Sequence, residues 1–326
     1  MKFKQIKKII SKAKTIALFT HTSPDADGVC SCVALSNAIQ FFNKNAIVQI
    51  YCEKIPNELK FLNVEDKILT NITDLKYDLL ISLDTGSANQ LGSFKEYFLN
   101  HKNTIEMDHH FSRDSFAKFS YVDSSKSSMC EILFQMFEEL KVKLNKEIAT
   151  NLYAGIAADT GCFNFNNTSS YTHFVASTLM KYNIDIYQIN NNLFNQYTKQ
   201  EFDLLRLILN NTKIEKDFAY SIIDSKQLNQ NKISEPSSRN AVNKLLAIES
   251  INMSAVAIEK ESGKFYISLR AKLGEDCSLI AKELGGGGHK LASGCKIEGD
   301  KNTVKIKLLR SVREYKERNW WCYYFE

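Results

Sequence analysis

The sequence predicts an α/β protein: a parallel-sheet N-terminal domain, a helical linker and a smaller mixed α+β C-terminal domain. Three observations predict it. The chain has 326 residues, enough for two domains at roughly 100–200 residues each. Its first half alternates short apolar runs with helical patterns, the signature of a parallel sheet with crossover helices. Its second half instead runs strand, strand, helix.

Thr15–Thr20 (TIALFT) reads as the first strand. Val29–Phe42 follows as a helix, with Val29, Val33, Ala34, Ile39 and Phe42 on its buried face. Ile47–Cys52, Tyr77–Leu83 and Asn103–Met107 read as further strands, the second of them buried and central. Helices at Ser127–Leu140 and Lys146–Asp159 belong to the same domain, taken as residues 1–185. Residues 186–212, polar-amphipathic and rich in Asn and Gln, read as the helical linker. The C-terminal domain, 213–310, has strands at Phe218–Ile223, Met253–Glu259 and Lys264–Arg270, and then a helix at Cys277–Leu284. A glycine run and strands at Leu291–Ile297 and Thr303–Leu308 complete it. Residues 311–326 form an unusually aromatic tail.

Composition narrows the function. Lys plus Arg number 42 and Asp plus Glu 37, a net +5. That excludes a protein holding nucleic acid by bulk charge and leaves room for a local basic groove. Hydrophobic residues at 44% and charged residues at 24% describe a globular chain. The eight cysteines include no CxxC pair and read as reduced thiols of a cytosolic protein. The apolar stretch after the basic start, IALF, is too short for a signal peptide. No apolar run approaches the roughly 18 residues of a membrane span. A soluble, cytoplasmic protein without membrane contact is expected.

The chemistry lies in the acids and histidines. His21-Thr-Ser-Pro-Asp25-Ala-Asp27 directly follows the first strand. In an open α/β sheet, ligands bind beyond the carboxyl ends of the strands, so this loop can bring a histidine and two acids to one point. Pro24 stiffens the turn, and Gly28 is expected to let the backbone bend into the next helix. Asp84 lies just past Tyr77–Leu83, Asp108-His109-His110 follows Met107, and Asp159 ends the largely apolar Gly155–Asp159 stretch. Taken singly, an acid at such a place also serves as a helix cap. Together, five carboxylates and three imidazoles from four segments would repel strongly without cations. The set suits two hard or borderline divalent ions, Mn²⁺ above all, with Mg²⁺ or Co²⁺ as substitutes. Two such ions about 3.5–4 Å apart are the standard device for in-line attack of water on phosphorus.

A fifth feature is Gly285-Gly286-Gly287-Gly288-His289-Lys290, after the Cys277–Leu284 helix. A helix cap accounts for one glycine. Four in a row leave backbone N–H groups open to an anion and read as a phosphate nest. His289 and Lys290 add donors, and Arg270 ends a nearby strand. GxxxxGK[ST] is absent, so this is not a P-loop. GxSxG, HExxH and GxGxxG are absent too, which removes the usual support for serine hydrolases, zincins and Rossmann dinucleotide folds.

In this order, HTSPDADG, LDTG, DHH, GIAADTG and GGGGHKLASG resemble the motifs of the DHH-family phosphoesterases, over roughly Ile6 to Leu308. FSYVDSSKSSMCEILFQMF is similar to the two-domain oligoribonuclease/pAp-phosphatase branch, pAp being 3′-phosphoadenosine 5′-phosphate. The resemblance implies a DHH domain followed by a DHH-associated substrate-binding domain. It implies that His21, Asp25 and Asp84 hold one metal, and that Asp27, Asp84, His109 and Asp159 hold the other, with Asp84 bridging. Asp108 would orient neighbouring ligands, and His110 would contact the scissile phosphate or assist proton transfer. Arg270, Gly286, Gly287, Gly288 and His289 would hold the substrate. Short single-stranded oligoribonucleotides and pAp, hydrolysed to mononucleotides, are the implied substrates, and a homodimer is common in the family. The modest net charge suits a short substrate. Alternatives are a linear-dinucleotide phosphodiesterase and a pyrophosphatase or polyphosphatase; the glycine run disfavours the second pair. A non-catalytic nucleic-acid-binding module would leave the clustered carboxylates unused.

Overall fold

The apolar run Leu79–Leu83 is buried along its whole length inside a six-stranded parallel sheet. The computed structural model describes residues 1–110, 115–234, 236 and 239–320, in two units, Met1–Gln196 and Tyr197–Glu326. The first unit runs α1 (Phe3–Ile10), β1 (Thr15–Phe19), α2 (Ala26–Phe42), β2 (Ile47–Tyr51), β3 (Ile68–Leu69) and β4 (Leu79–Leu83). It continues through α3 (Lys95–Leu99), β5 (Thr104–Asp108), β6 (Phe119–Val122), α4 (Met129–Glu139), α5 (Lys146–Asp159), α6 (Ser170–Met180) and α7 (Ile186–Asn190).

Both faces of this sheet are covered. Along β1, Ile16 and Leu18 enter the core formed with α2, α4 and α5, while Ala17 and Phe19 enter a cluster with Tyr51, Tyr77, Phe94 and Phe98. Period-2 alternation thus feeds two cores. The strand order β3-β2-β1-β4-β5-β6 reverses direction between β1 and β4, and such a switch point opens a crevice at the carboxyl ends. Polar caps start the helices: Asp25 accepts from the Gly28 amide at α2, Ser128 from Glu131 at α4, and Asn145 from Ile148 at α5. The helix α1 is not expected from the sequence. Its buried residues, Phe3, Ile6 and Ile10, are spaced among lysines.

The second unit runs α8 (Lys199–Asn210), β7 (Lys213–Glu215), β8 (Phe218–Ile223), α9 (Ser225–Gln230), α10 (Arg239–Leu246), β9 (Met253–Glu261) and β10 (Lys264–Ala271). Then come α11 (Cys277–Glu283), β11 (Gly287–His289), β12 (Ala292–Glu298) and α12 (Lys301–Trp320). Its sheet, ordered β11-β12-β10-β9-β8-β7, is mixed, with β8 and β9 parallel and the other pairs antiparallel. One face packs Tyr220, Ile222, Ala255, Ile267 and Leu269 with residues of α11 and α12. On the other, Ala219, Ile223, Val256 and Ile258 pack with α8 and α10, and among the described residues nothing from β10, β11 or β12 joins that cluster.

The expected strand at Thr303–Leu308 is helical. Val304, Ile306 and Leu308 alternate as in a strand, but Ile306 is 58% exposed while Val304, Leu308, Val312 and Tyr315 are buried at helical spacing. The helix α12 continues through Arg310 into the aromatic segment, where the Tyr315 hydroxyl accepts from the Asp276 amide at 2.8 Å. Residues 321–326 of that segment lie outside the described residues. The Asn/Gln-rich stretch divides: Ile189 packs in the first unit's core, and Leu204 and Ile208 pack in the second's. Among the described residues, no helix is long and apolar enough to cross a membrane.

Candidate metal centre

Four chain segments deliver the acids and histidines. His21 lies just past β1, and Asp25 and Asp27 open α2. Asp84 follows β4, Asp108 ends β5 with His109 and His110 beyond it, and Asp159 ends α5. Their ligand atoms fall into three groups, each within 4.8 Å: His21–Asp25–Asp84, Asp27–His109–Asp159, and Asp84–Asp108–His109–His110. All eight residues picked out in the N-terminal half are therefore brought together.

Asp84 is the hub. Its Oδ2 lies 3.7 Å from His21 Nε2, and its Oδ1 lies 3.4 Å from His109 Nε2. One carboxylate thus turns an oxygen toward each of two groups. The backbone of Asp84 takes φ 55°, a left-handed conformation in which Asp is one of the few enriched side chains. His21 Nε2 also lies 3.7 Å from Asp25 Oδ1, and His109 Nε2 3.1 Å from Asp159 Oδ2. Gly28 does not serve as a bend, since it is inside α2. A Cβ there would sit 2.2 Å from Thr20 Oγ1 and 3.3 Å from both Asp84 Oδ2 and His21 Nε2, so the glycine keeps that space open.

Two of the acids are held by backbone amides. Asp27, fully buried, accepts from the amides of Met129 at 2.6 Å and Cys130 at 2.9 Å, the first turn of α4. Asp108 Oδ1 accepts from the amides of His109 and His110 at 2.8 and 3.2 Å and contacts His110 Nδ1 at 2.8 Å. Asp108 therefore fixes the ring of His110.

The electrostatics are those of crowded carboxylates. Burial, reinforced by repulsion from Asp159 and Asp84, pushes Asp27 well above the usual carboxylate range. Burial pushes Asp159 up to about 6, with His109 opposing and Asp25 and Asp84 adding to the rise. Burial opposes charge on His109, yet Asp159 and Asp84 push it up to about 12. His21 and His110 are also raised against the effect of burial, by Asp25 and Asp84 in one case and by Asp108 and Asp84 in the other. Asp108 is lowered despite burial, through its hydrogen bond with His110. Protons here compensate for close negative charge, a job divalent cations do when bound. A further sign of fit is that Asp84 Oδ1, though buried, meets His109 and His110 only at 3.4 and 3.6 Å, and Asp108 Oδ2 is buried without a hydrogen-bond partner, which is costly unless something else satisfies them. The residues thus fit divalent ions: oxygen-rich, with a few imidazoles.

In the second unit, Arg270 on β10 pairs with Ala292 on β12, which pairs with His289 on β11. Directly paired residues share a face, so Arg270 and His289 project on the same side, with Ser268 two residues along β10. Within the glycine run, Gly285 (φ +78°) and Gly286 end α11 in a Schellman arrangement, their amides donating to Lys282 and Ala281 carbonyls at 3.0 and 2.7 Å. A Cβ on Gly286 would lie 2.2 Å from the Gly294 carbonyl, and one on Gly288 2.7 Å from the Ala292 carbonyl. Gly287 alone of the four is neither in a left-handed conformation nor crowded. Cap and sheet packing thus account for Gly285, and for Gly286 and Gly288, two of the three glycines that the sequence reading assigned to substrate. The other two histidines are used locally: the ring nitrogens of His101 face the Asn103 and Tyr77 carbonyls, and His173 stacks on Phe163.

Sequence reasoning missed the amides of Met129 and Cys130 as partners of Asp27. The signal was Ser128-x-x-Glu131, a helix-start pattern whose first turn offers free amides.

Residues 15–156 match the DHH family, N-terminal domain, and residues 215–315 match the DHHA1 domain. A Streptococcus mutans protein named as a probable bifunctional oligoribonuclease and PAP phosphatase NrnA is 30% identical over 90% of this chain and 92% of its own. The Bacillus subtilis bifunctional oligoribonuclease and PAP phosphatase NrnA is 28% identical over 94% of this chain and 97% of its own. In fold, the crystal structure of an exopolyphosphatase-related protein from Bacteroides fragilis is similar at TM-score 0.90 and 24% identity, over 97% of this chain and 96% of that one. With its acid and histidine motifs gathered at the switch point of the first sheet and both domains matched, this chain belongs to the DHH family.

Proposed function

We propose that the chain is a divalent-metal-dependent phosphoesterase that hydrolyses short oligoribonucleotides and pAp to mononucleotides. The observation that carries this reading is the convergence of eight acids and histidines from four segments, with Asp84 turned toward two groups. The names of the S. mutans and B. subtilis relatives support the substrate class. His21, Asp25 and Asp84 would hold one ion; Asp27, Asp84, His109 and Asp159 would hold the other, manganese being the preferred metal for such a donor set. When bound, such ions supply a water-derived nucleophile at neutral pH and neutralise phosphoryl oxygens.

The chain's own groups do the rest. Asp108 aims His110, whose raised proton affinity lets it donate a hydrogen bond to a phosphoryl oxygen or a proton to the leaving oxygen. Arg270 and His289, on one face of the second sheet, provide cationic and hydrogen-bonding groups for the nucleotide's phosphates. Gly287 would let a phosphate approach the backbone. The seven described cysteines are free thiols, which suits the cytoplasm.

The test is product analysis with 5′-labelled oligoribonucleotides from the dinucleotide upward, beside pAp and pyrophosphate, with Mn²⁺ or with EDTA. Mononucleotides from short RNA and AMP from pAp, lost in EDTA, are expected. Turnover of pyrophosphate alone would overturn the reading.

A further inference from the structure

Glu131 is a carboxylate that the chemistry above does not use. It is 1% exposed, at the third position of α4. In a capping box, a glutamate there reaches back to its own helix's cap amide. Here its Oε2 instead accepts from Ser127 Oγ at 2.6 Å and from Thr172 Oγ1 at 2.7 Å. Ser127 and Thr172 are themselves buried. Thr172 belongs to the first turn of α6, where its hydroxyl accepts from the Ser169 amide at 3.1 Å. One buried oxygen therefore ties the first turn of α4 to the first turn of α6.

Burying a carboxylate is costly for stability, and an apolar residue of similar volume is often as good or better. What the arrangement provides is position. The first turn of α4 is the turn whose Met129 and Cys130 amides hold Asp27. A second link runs the same way: Asn167 Nδ2 donates to the carbonyls of Ser127 and Asp159, both at 3.1 Å. The segment that starts α4 is thus coupled to Asp27 through amides and to Asp159 through Asn167. Asp27 and Asp159 belong, with His109, to one of the three ligand groups. The hydrogen bonds from the start of α4 and from Asn167 reach Asp27 and Asp159 directly.

We propose that Glu131 is a positioning residue for the Asp27–His109–Asp159 half of the metal centre: it locks the start of α4 against α6 so that the α4 amides hold Asp27 at a fixed place relative to Asp159. Loss of Glu131 weakens one ion and spares the other.

This rests on the metal reading above, and the experiment separates the two. The full-length protein, stripped with EDTA, is titrated with Mn²⁺ by calorimetry, and its electron paramagnetic resonance spectrum is recorded at each ratio. The wild type is expected to bind two ions and to show the coupled signal of a metal pair. Glu131→Ala is expected to bind one ion as the wild type does, to bind the second about 10- to 100-fold more weakly, and to lose the coupled signal at equal metal. Glu131→Gln keeps an acceptor oxygen and should recover most of the affinity. Wild-type protein without Mn²⁺ binding removes the metal reading and this inference together. Normal wild-type binding, with Glu131→Ala binding both ions equally well, removes the positioning role alone, whatever the change in thermal stability. If Glu131→Ala does not fold, Thr172→Val, which deletes one of the two donors, replaces it: a several-fold loss at one ion supports the role, and unchanged binding overturns it.

Discussion

Asp84 stands at the end of a strand whose sheet is covered on both faces, whereas Arg270 stands within a strand whose alternate residues stay partly exposed. The first sheet leaves polar chemistry only its strand ends, so acids from four segments crowd into one crevice and raise one another's proton affinities. The second leaves a stretch of sheet face for donors, and Arg270 and His289 occupy it in register on the two strands that flank β12. A parallel, doubly covered sheet concentrates charge at a point. A largely antiparallel sheet spreads it along a face at little cost in desolvation. Substitutions in the two regions should therefore fail in different ways.

The largest effect belongs to the crowded end. Asp84→Ala should lower Mn²⁺-dependent hydrolysis by about 10³-fold or more, since both ligand groups lose a shared oxygen donor. Thermal unfolding in EDTA should not fall in step, because repulsion on Asp27 and Asp159 is relieved. Wild-type turnover from a folded variant would break the contrast. Next is the open face: Arg270→Ala should lower kcat/KM by about 10- to 100-fold, mainly through KM, the size of a lost charged hydrogen bond. Its Mn²⁺ titration should match the wild type, and weakened metal binding would show that the regions are not separable in this way.

A pH experiment sharpens the comparison further. Asp159 binds its proton more tightly folded, at about 6, than an unfolded aspartate does at about 3.9. Between those values the folded state holds more protons, so stability in EDTA should fall as pH rises from about 4 to about 6. In the second unit Asp217 is shifted the other way, lowered by Lys316 against the effect of burial, so its contribution is present above the unfolded value and lost as acid is added below it. Urea titrations across this range should show the first slope, and Asp159→Asn should flatten it. The smallest effect is Gly287→Ala. Nothing lies within 4 Å of an added Cβ, so unfolding should be unchanged while KM rises a few-fold; an unchanged KM would remove Gly287 from substrate contact.

The candidate centre was legible as a cluster because its residues sit in short contiguous motifs, each at the end of an apolar run. His21, Asp84 and Asp108 could be placed at strand ends without knowing the strand order, because every parallel strand ends on the same side. What the linear pattern hid was anything set by packing. The strand-like alternation of Val304, Ile306 and Leu308 belongs to a helix, since the burial of Val312 and Tyr315 decides the period. The glycine run read as a phosphate nest beyond the one glycine that a cap needs, yet Gly286 and Gly288 are also required by the approach of β12, a neighbour not visible in the local sequence. Glu131 gave no signal as a partner of Thr172, 41 positions away.

The left-handed backbone of Asp84 has one more consequence. In a library of all substitutions at that position, the chain applies two filters. The first is conformational: glycine, asparagine and aspartate fit φ 55° with least strain, so sorting for folded protein should enrich those three. The second is chemical: sorting the survivors for turnover should leave aspartate. A β-branched residue such as valine would be rejected at the first step, before its lack of a carboxylate mattered.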